Sequence, residues 1–380
     1  MYRLTPLTAP PRRPLRWASE PSPKDNVVGD TPLEISWFAP SCWGDTARVG
    51  VADPTRAATF AYNRRVVELA DRLGFLNVLI PSSFVPGMDP WTLASALAPS
   101  TTRTRLLPAV RVGEFDPPMF ARAATALQQI LGGRLTVNII SSELAGETLG
   151  STERYQRTAE AMALLKAFWS DDHVHHQGQW WNYDLPTTAT HTASPPPLYF
   201  GGTSEPAREA AAQHADVYLM WIETVASSAA LVADMQARAA RHGRTLRFGL
   251  RTHVIVRPTE ADARAAAAAV ISELDPEVGR RLKESSHDHA SDGVRRQDVL
   301  RGSAGEDGFV EEALWTGIGV ARSGVGAAIT GSADQVEAKI RAYADLGIES
   351  FILSGYPLDD EAQRVADLLL PRFTLGAIEI

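Results

Sequence analysis

The stretch Phe248-Gly-Leu-Arg-Thr-His-Val-Ile-Val256 decides the fold class of this chain. Side chains alternate between the two faces of a β-strand. One face carries Phe248, Leu250, Thr252, Val254 and Val256, which suit packing on outer helices. The other carries Gly249, Arg251, His253 and Ile255, which must face the interior. A strand that is buried on both faces is typical of a parallel sheet covered by helices.

Seven further apolar stretches alternate with amphipathic helical stretches in the same way. With the first, they give eight predicted strands: Leu33–Phe38, Asn77–Pro81, Arg105–Val110, Leu135–Ile140, Leu198–Gly201, Val217–Met220, Phe248–Val256 and Ser350–Ser354. Three helices end in Leu-Gly directly before a strand, at Gly74, Gly132 and Gly347, because glycine suits the left-handed position there. Alternation predicts parallel pairing with right-handed crossovers. Eight strands predict an α/β fold, the (β/α)8 TIM barrel with insertions.

An open doubly wound sheet is the alternative to a barrel. Its usual dinucleotide signal, Gly-x-Gly-x-x-Gly after the first strand, is missing. Phe38-Ala-Pro-Ser41 stands at that place. The barrel is therefore the favoured fold.

The proline-rich residues 1–32 predict an irregular arm, either a disordered tail or an arm that packs on a neighbouring subunit. Residues 33–380 are predicted as one barrel domain with two insertions. The first, near 171–196, is predicted as a decorating hairpin. The second, near 275–325, is long, charged and glycine-rich, and we expect a partly mobile lid there.

Composition limits the classes of function. The chain has 380 residues, 44% of them hydrophobic, and a formal net charge of −8, which argues against nucleic acid as the main partner. The single cysteine, Cys42, excludes an intrachain disulfide and fits a reducing compartment. Met1 to Pro32 lacks the apolar core of a signal peptide, and no apolar run reaches the ~20 residues of a membrane helix. The default location is the cytoplasm.

Arg251 is the most informative candidate for a functional residue. A buried arginine is costly unless it is paired, and no acidic residue lies on the inward face of its own strand. Arg251 therefore either meets a carboxylate from another strand or points into a ligand cavity, and the cavity is favoured because barrel sites collect residues from several strand ends. His253 lies on the same inward face, and its position beside Arg251 makes it a stronger candidate than a lone buried histidine would be.

Other candidates follow strands or open helices. Tyr199-Phe-Gly-Gly-Thr-Ser-Glu-Pro206 ends a strand and begins a helix, so Ser204 either simply caps the helix or helps to bind a phosphate there. Tyr155 opens another helix, Tyr356 follows the last strand, and Arg322 lies in a glycine-rich loop. A metal site is not expected, because two groups of histidines lack partner ligands at recognisable spacing. One group is His173, His175 and His176, and the other is His287 and His289.

Taken together, the chain resembles the bacterial luciferase-like, flavin-dependent monooxygenases, and within them the alkanesulfonate monooxygenases. The resemblance runs from about Ile35 to Pro371. Its motifs are Trp37-Phe38, Leu73-Gly74 with Val78-Leu-Ile-Pro81, Gly132-Gly-Arg134, Glu153-Arg-Tyr155, Pro197-Leu-Tyr-Phe-Gly-Gly202, Arg247-Phe-Gly249 with Arg251 and His253-Val-Ile-Val256, and Leu353-Ser-Gly-Tyr-Pro357.

The resemblance implies a (β/α)8 barrel and a two-component enzyme. Such enzymes take reduced FMN from a separate NAD(P)H-dependent reductase and use O2; with an organosulfonate the products would be sulfite and an aldehyde. The resemblance places Arg251, His253, Arg322 and Tyr356 at the catalytic site, with Arg251, Arg322 and the aromatic Trp221 binding a small anionic substrate. It places the cofactor at Ser141, Tyr155, Gly202, Thr203 and Ser204. A homo-oligomer, dimer or tetramer, is also expected.

One segment departs from the alkanesulfonate pattern. After Pro81 those enzymes usually have a Thr-Gly-Arg-Ser-Cys-Glu type segment, whereas this chain has Ser82-Ser-Phe-Val-Pro-Gly-Met88. The exact substrate therefore stays open. The alternatives are the same chemistry on a sulfone, ketone or amine, a non-catalytic flavin-binding homologue, and a deazaflavin-dependent oxidoreductase.

Overall fold

The computed structural model describes residues 31–83, 87–144, 146–187, 194–284, 291–322 and 324–380. Pro32–Ile380 forms one unit. The predicted arm, residues 1–32, lies almost wholly outside the described residues.

The elements follow in chain order. The strands are β1 (Glu34–Phe38), β2 (Asn77–Ile80), β3 (Arg105–Arg111), β4 (Val137–Ile140), β5 (His173–Gln177), β6 (Asn182–Pro186), β7 (Leu198–Phe200), β8 (Val217–Trp221), β9 (Arg247–Arg257), β10 (Phe309–Glu311), β11 (Leu314–Trp315), β12 (Ala328–Ser332) and β13 (Ile348–Ser354). The helices are α1 (Phe60–Leu73), α2 (Pro90–Leu97), α3 (Pro117–Ile130), α4 (Ser151–Ser170), α5 (Glu205–His214), α6 (Val225–Arg241), α7 (Glu260–Ile271), α8 (Pro276–Glu284), α9 (Asp292–Gly302), α10 (Ala333–Ala344) and α11 (Leu358–Leu368).

Eight parallel strands close into a barrel in the order β1-β2-β3-β4-β7-β8-β9-β13, with β13 pairing back to β1. They are the eight strands predicted from the sequence, so the TIM-barrel prediction is confirmed. The Leu-Gly joins also behave as predicted: Gly74 and Gly347 adopt φ of +96° and +91°, which lets each helix turn directly into the next strand.

The barrel is filled by apolar side chains and closed at its floor by the C-terminal residues. Leu79, Leu107, Tyr199, Val217 and Ile352 pack together inside it, with Ile378 beneath them. The floor also holds the buried carboxylate of Glu34, which accepts hydrogen bonds from Tyr199 Oη and Ser350 Oγ at 3.0 and 2.9 Å. Leu33 pairs with Leu375 at the same end. Ligand access is therefore from the opposite end.

One strand extends the barrel at that opposite end, and the sequence analysis missed it. β8 ends at Trp221, opposite Arg251, and β12 then takes its place beside β9, with Ala328 opposite His253. The short stretch Ala-Ile-Thr-Gly-Ser was hidden because its serine also begins α10 in a capping box. Because β12 pairs with the second half of β9, it extends the sheet past the end of β8 and supports the second insertion.

The two insertions differ in how well they were predicted. The first contains the predicted hairpin, β5 paired antiparallel with β6. For the second, no regular element was predicted, whereas its described part contains α8, α9 and the hairpin of β10 and β11. Charged residues lie on the solvent side of such short helices, and their high proportion made α8 and α9 hard to recognise in the sequence. The expected mobility of this insertion stays a prediction.

Candidate active site

Arg251 lies inside the upper barrel, with only 5% of its surface exposed. Its guanidinium stacks on Phe38, 4.3 Å from the ring centroid. Nη2 donates to Ser354 Oγ at 2.8 Å, and Nη1 donates to the carbonyl oxygens of Thr252 and Ile352. Neutral oxygens and an aromatic face thus hold the cation in place without cancelling its charge.

No carboxylate pairs with Arg251 among the described residues. The alternative that it serves a buried ion pair is therefore not supported. Burial, and secondly repulsion from Arg322, lower the pKa of Arg251 to about 9. A desolvated cation of this kind is stabilised by an incoming anion.

His253 lies next to Arg251 along β9 and is 2% exposed. Its Nδ1 is 2.7 Å from Ser354 Oγ, and its ring stacks on Tyr356 with centroids 5.3 Å apart and planes at 25°. Nε2 is buried and has no hydrogen-bond partner of good geometry among the described residues. Burial, then Arg251 and Arg322, hold the pKa of His253 well below its ordinary value, while the Val325 backbone has a smaller opposite effect.

The structure also brings further cations to this end of the barrel. Arg322, half-buried, acts electrostatically on Arg251, His253 and Cys42. Its side chain makes no ion pair within the described ranges. Arg111, at the end of β3, also acts on Cys42 but is paired with Glu114 at 2.6 Å. Burial raises the pKa of the Cys42 thiol to about 11, so this cysteine stays protonated and is not activated as a nucleophile.

A second group of residues surrounds the start of α5. A Cβ on Gly202, where φ is +139°, would lie 2.7 Å from Ala207 Cβ and 3.3 Å from Tyr155 Oη. The backbone here therefore requires glycine and brings Tyr155 close to the helix N-terminus. Such a terminus, with free N–H groups and a positive dipole end, suits a phosphate.

Ser204, at the start of α5, does not behave as a simple helix cap. It occupies the N-cap position of α5, but its side chain makes no capping hydrogen bond, so of the two alternatives simple capping is not supported. Its Oγ is buried with no partner in the described structure. A buried hydroxyl without a partner at a helix N-terminus fits the phosphate of a bound flavin nucleotide.

Two other predicted cofactor residues are already engaged. Thr203 Oγ1 donates to Asp292 Oδ2 at 2.7 Å, which links the Gly202–Ser204 turn to α9. Ser141 Oγ accepts from Thr158 Oγ1 at 2.8 Å, and its carbonyl accepts from Arg154 Nε at 3.2 Å. Thr203 adjoins the Gly202–Ser204 turn, whereas the contacts of Ser141 anchor the end of β4 to α4.

The second insertion covers the strand that carries Trp221. Trp221 lies opposite Arg251 in register, and Gly293 of α9 packs so closely on its indole that a Cβ there would be 3.0 Å away. Arg296 holds Glu223 with two hydrogen bonds of 2.5 Å, and Gln297 donates to the Ile222 carbonyl at 2.8 Å. α9 is thus fixed over the rim of the barrel.

The histidines of the hairpin are not brought to this site. His173 and His175 both contact Asp184 at 2.8 Å on the exposed face of the hairpin. These three residues lie close enough together to hold one cation. His176 instead contacts Glu160 at 3.0 Å. His287 and His289 lie outside the described residues.

Sequence reasoning missed Ser354, Phe38 and Arg111 as members of the site. Ser354 looked like the end of an apolar strand, and Phe38 looked like ordinary core. Their one available signal was position, because each ends a barrel strand at the rim where sites form. Between them, Ser354 and Phe38 contact the Arg251 guanidinium from two directions.

Comparison with known proteins agrees with this fold. The family model described as luciferase-like monooxygenase matches residues 34–350. A sulfoquinovose monooxygenase of Novosphingobium aromaticivorans is 47% identical over 356 residues, 91% of this chain and 98% of that protein. A sulfoquinovose monooxygenase of Agrobacterium fabrum is 43% identical over 345 residues, 89% of each. The crystal structure of a long-chain alkane monooxygenase superimposes with a TM-score of 0.73 at 17% identity, covering 92% of this chain and 94% of that one.

The chain therefore belongs to the luciferase-like monooxygenase family. The predicted enzyme class, a flavin-dependent monooxygenase, is thereby confirmed. In the described part of the chain, none of the helices has the length and apolar character needed to cross a bilayer.

Proposed function

We propose that this enzyme uses reduced FMN and O2 to oxygenate a sulfonated hexose such as sulfoquinovose, releasing sulfite and an aldehyde-level product. The observation that carries the proposal is Arg251, a buried cation without a carboxylate partner in the described residues, beside Arg322. The two relatives named sulfoquinovose monooxygenases support the choice of substrate.

The residues around α5 fit FMN. The Ser204 hydroxyl, the backbone at Gly202 and the hydroxyl of Tyr155 would hold its phosphate. When bound, reduced FMN would supply the electrons and the activated oxygen for the oxygenation. The protein's own contribution is to position the phosphate, hold the anionic end of the substrate and exclude water at the barrel rim.

Arginine suits a sulfonate because its planar fork presents several N–H donors to three oxygens. Arg251 would bind the sulfonate from within the barrel and Arg322 from the insertion. Oxygenation at the carbon that carries sulfur gives a hydroxysulfonate. Its hydroxyl proton is lost, a carbonyl forms, the C–S bond breaks, and the electron pair leaves with sulfur as sulfite. The same two cations stabilise the negative charge that grows on this leaving group.

The altered segment 82–88 supports a substrate other than a simple alkanesulfonate. Ser82-Ser83 stands where those enzymes have the Thr-Gly-Arg type segment, so this chain would offer different polar groups to the part of the substrate beyond the sulfonate. The partners in this proposal are a separate NAD(P)H-dependent FMN reductase and O2. We expect the reaction to take place in the cytoplasm.

The test is sulfite release in a coupled assay. The protein is incubated with an FMN reductase, NADH, FMN and catalase, and with sulfoquinovose, a series of alkanesulfonates or glucose. Sulfite is expected from sulfoquinovose only when the protein is present, with less from alkanesulfonates and none from glucose. Release from alkanesulfonates alone would overturn the substrate, and oxidation without sulfite would overturn the C–S cleavage.

A further inference from the structure

Ser354 joins the two principal polar residues of the site. Its Oγ accepts a hydrogen bond from Arg251 Nη2 at 2.8 Å and lies 2.7 Å from His253 Nδ1. All three side chains are buried, with exposures of 1%, 5% and 2% for Ser354, Arg251 and His253. Each proton in this small network must therefore find its partner in the protein or in a bound ligand, because water does not reach it.

The donors and acceptors of the network fix where the protons lie. A guanidinium only donates, so Ser354 Oγ accepts from Arg251 and retains its own O–H as a donor. His253 Nδ1 is the remaining neighbour of this hydroxyl within the described structure. If Nδ1 were protonated, the buried O–H would have no acceptor. If Nδ1 is bare, every atom of the Ser354 hydroxyl is satisfied, and the imidazole proton lies on Nε2.

The doubly protonated ring is disfavoured by its surroundings. Arg251 and Arg322 are the charged groups that act on it, both are cations, and the ring is buried. The Tyr356 ring, stacked at 5.3 Å, contacts a face of the imidazole and offers no acceptor in its plane. The Val325 backbone also contacts the ring and offsets these effects only in part. Nε2 is buried and makes no hydrogen bond of good geometry in the described ranges.

We propose that Ser354 is a positioning residue that holds His253 as the neutral Nε2–H tautomer, so that this N–H donates to an oxygen atom of the bound ligand. Arg251 is part of the device, because its Nη2 occupies one lone pair of Ser354 Oγ and cannot accept the hydroxyl proton, which leaves Nδ1 as the acceptor. The identity of the ligand rests on the proposed function; the tautomer does not.

The tautomer is measured directly in the protein without flavin. Histidine is labelled with 15N, and the His253 resonances are assigned among the nine histidines with His253→Gln. We expect a pyridine-type Nδ1 and a pyrrole-type Nε2 at neutral pH. Ser354→Ala should mix the two forms, and Ser354→Thr, which keeps the hydroxyl, should restore the single form. A protonated Nδ1 in the unmodified protein would overturn the proposal, whatever the substrate.

Ser350→Ala is the matched control. Ser350 is a fully buried serine of the same strand whose Oγ donates to Glu34 at the barrel floor. This variant loses one buried hydrogen bond, as Ser354→Ala does, but should leave the His253 spectrum unchanged. A His253 spectrum that changes equally in both would show a general loosening of β13 and would count against the specific role of Ser354.

A pair of His253 variants tests the N–H itself. Glutamine extends an amide N–H to the position of Nε2, whereas asparagine reaches only the position of Nδ1. With sulfite release as the readout, His253→Gln should retain roughly a hundred- to a thousandfold more kcat than His253→Asn, the range for one preorganised donor. Melting temperatures confirm that both fold. Equal kcat values in two folded variants would overturn the role as a donor while leaving the tautomer result standing.

Discussion

The guanidinium of Arg251 lies over the ring of Phe38, 4.3 Å from its centroid, reaching past the one strand, β13, that separates β9 from β1. Phe38 ends the first strand and Arg251 lies in the middle of β9. The aromatic face attracts the cation without neutralising it. This relationship explains how a cation stays buried here while it remains ready for an anion.

Replacing Arg251 with alanine is therefore expected to damage turnover far more than stability. The lost contact to the anion is worth about 1.5–3 kcal/mol, so kcat/KM for the sulfonate should fall roughly ten- to a hundredfold or more. The melting temperature should change little, because a desolvated cation is removed as well. Arg251→Lys is the matched control and should recover part of the loss only, because it lacks the planar fork. A destabilised alanine variant with near-normal turnover would make Arg251 structural.

Removing the Ser204 hydroxyl should weaken the binding of reduced FMN but not of reduced riboflavin, which lacks the phosphate. One hydrogen bond to a charged group corresponds to about 1.5 kcal/mol or more, roughly tenfold in Kd. Anaerobic titration of Ser204→Ala with both flavins measures this. The stability of the flavin-free protein should not fall, because Ser204 makes no capping bond.

Thr259→Ala serves as the comparison for Ser204→Ala. Thr259 does cap its helix, with Oγ1 accepting from Asp262 N at 3.1 Å, so this variant should lose about 1 kcal/mol of stability and keep both flavin affinities. Equal weakening of FMN and riboflavin by Ser204→Ala would remove Ser204 from the phosphate site.

Asp292 holds the Thr203 hydroxyl at 2.7 Å beside the proposed phosphate site. It is also paired with Arg295, whose side chain is exposed and therefore screens the carboxylate only in part. A carboxylate near an incoming phosphate repels it by about 1 kcal/mol or more at contact distances. Asp292→Asn is therefore expected to tighten FMN binding by roughly fivefold, with a smaller gain at high salt because the repulsion is screened. Isothermal titration at two salt concentrations checks both effects. Weaker binding in the variant would mean that Asp292 organises the site rather than opposing the phosphate.

Asp45 gives a pH dependence of stability. It is buried, accepts from Tyr62 Oη and Leu358 N at 2.6 Å each, and has a pKa raised by burial to about 6. The unfolded chain ionises near 3.9, so the folded state binds the extra proton between these values. Its contribution to the free energy of unfolding is largest below this window and is lost as pH rises through about 4 to 6.

Asp45→Asn should abolish this part of the pH dependence. The melting temperature of the unmodified protein relative to the variant is expected to fall between pH 4.5 and 7, by an amount equivalent to at most about 3 kcal/mol. A melting-temperature difference between the two proteins that stays constant over this pH range would mean that Asp45 ionises normally in the folded protein.

The sequence predicted the barrel because each of its strands repeats a local pattern, an apolar stretch between a helix and a rim residue. The same reasoning failed for Ala328–Ser332, which makes its contacts with the far half of β9 rather than with sequence neighbours. It also failed for α8 and α9, whose charged residues resemble a loop until their apolar sides pack on the rim.

The candidate residues that the structure brings together are those whose residue type conflicts with its surroundings. Arg251 and His253 stood out because polar side chains on a buried face need an explanation. Ser354 did not, because serine is common at strand ends and its role depends on two partners from β9 that only the folded barrel brings within 3 Å. For Ser204 the sequence left simple capping and phosphate binding open, because the N-cap position alone does not fix where a hydroxyl points; the folded chain lacks the capping bond.

The pairing of Leu33 with Leu375 has a practical consequence. The barrel starts and finishes at neighbouring points on its floor, and the exposed last residue, Ile380, emerges there, away from the rim that collects Arg251, His253 and Tyr356. An affinity handle attached after Ile380 would therefore tether the enzyme with its mouth facing the solution. Immobilised in this orientation on a sensor surface or resin, the protein would keep its substrate entrance clear of the support.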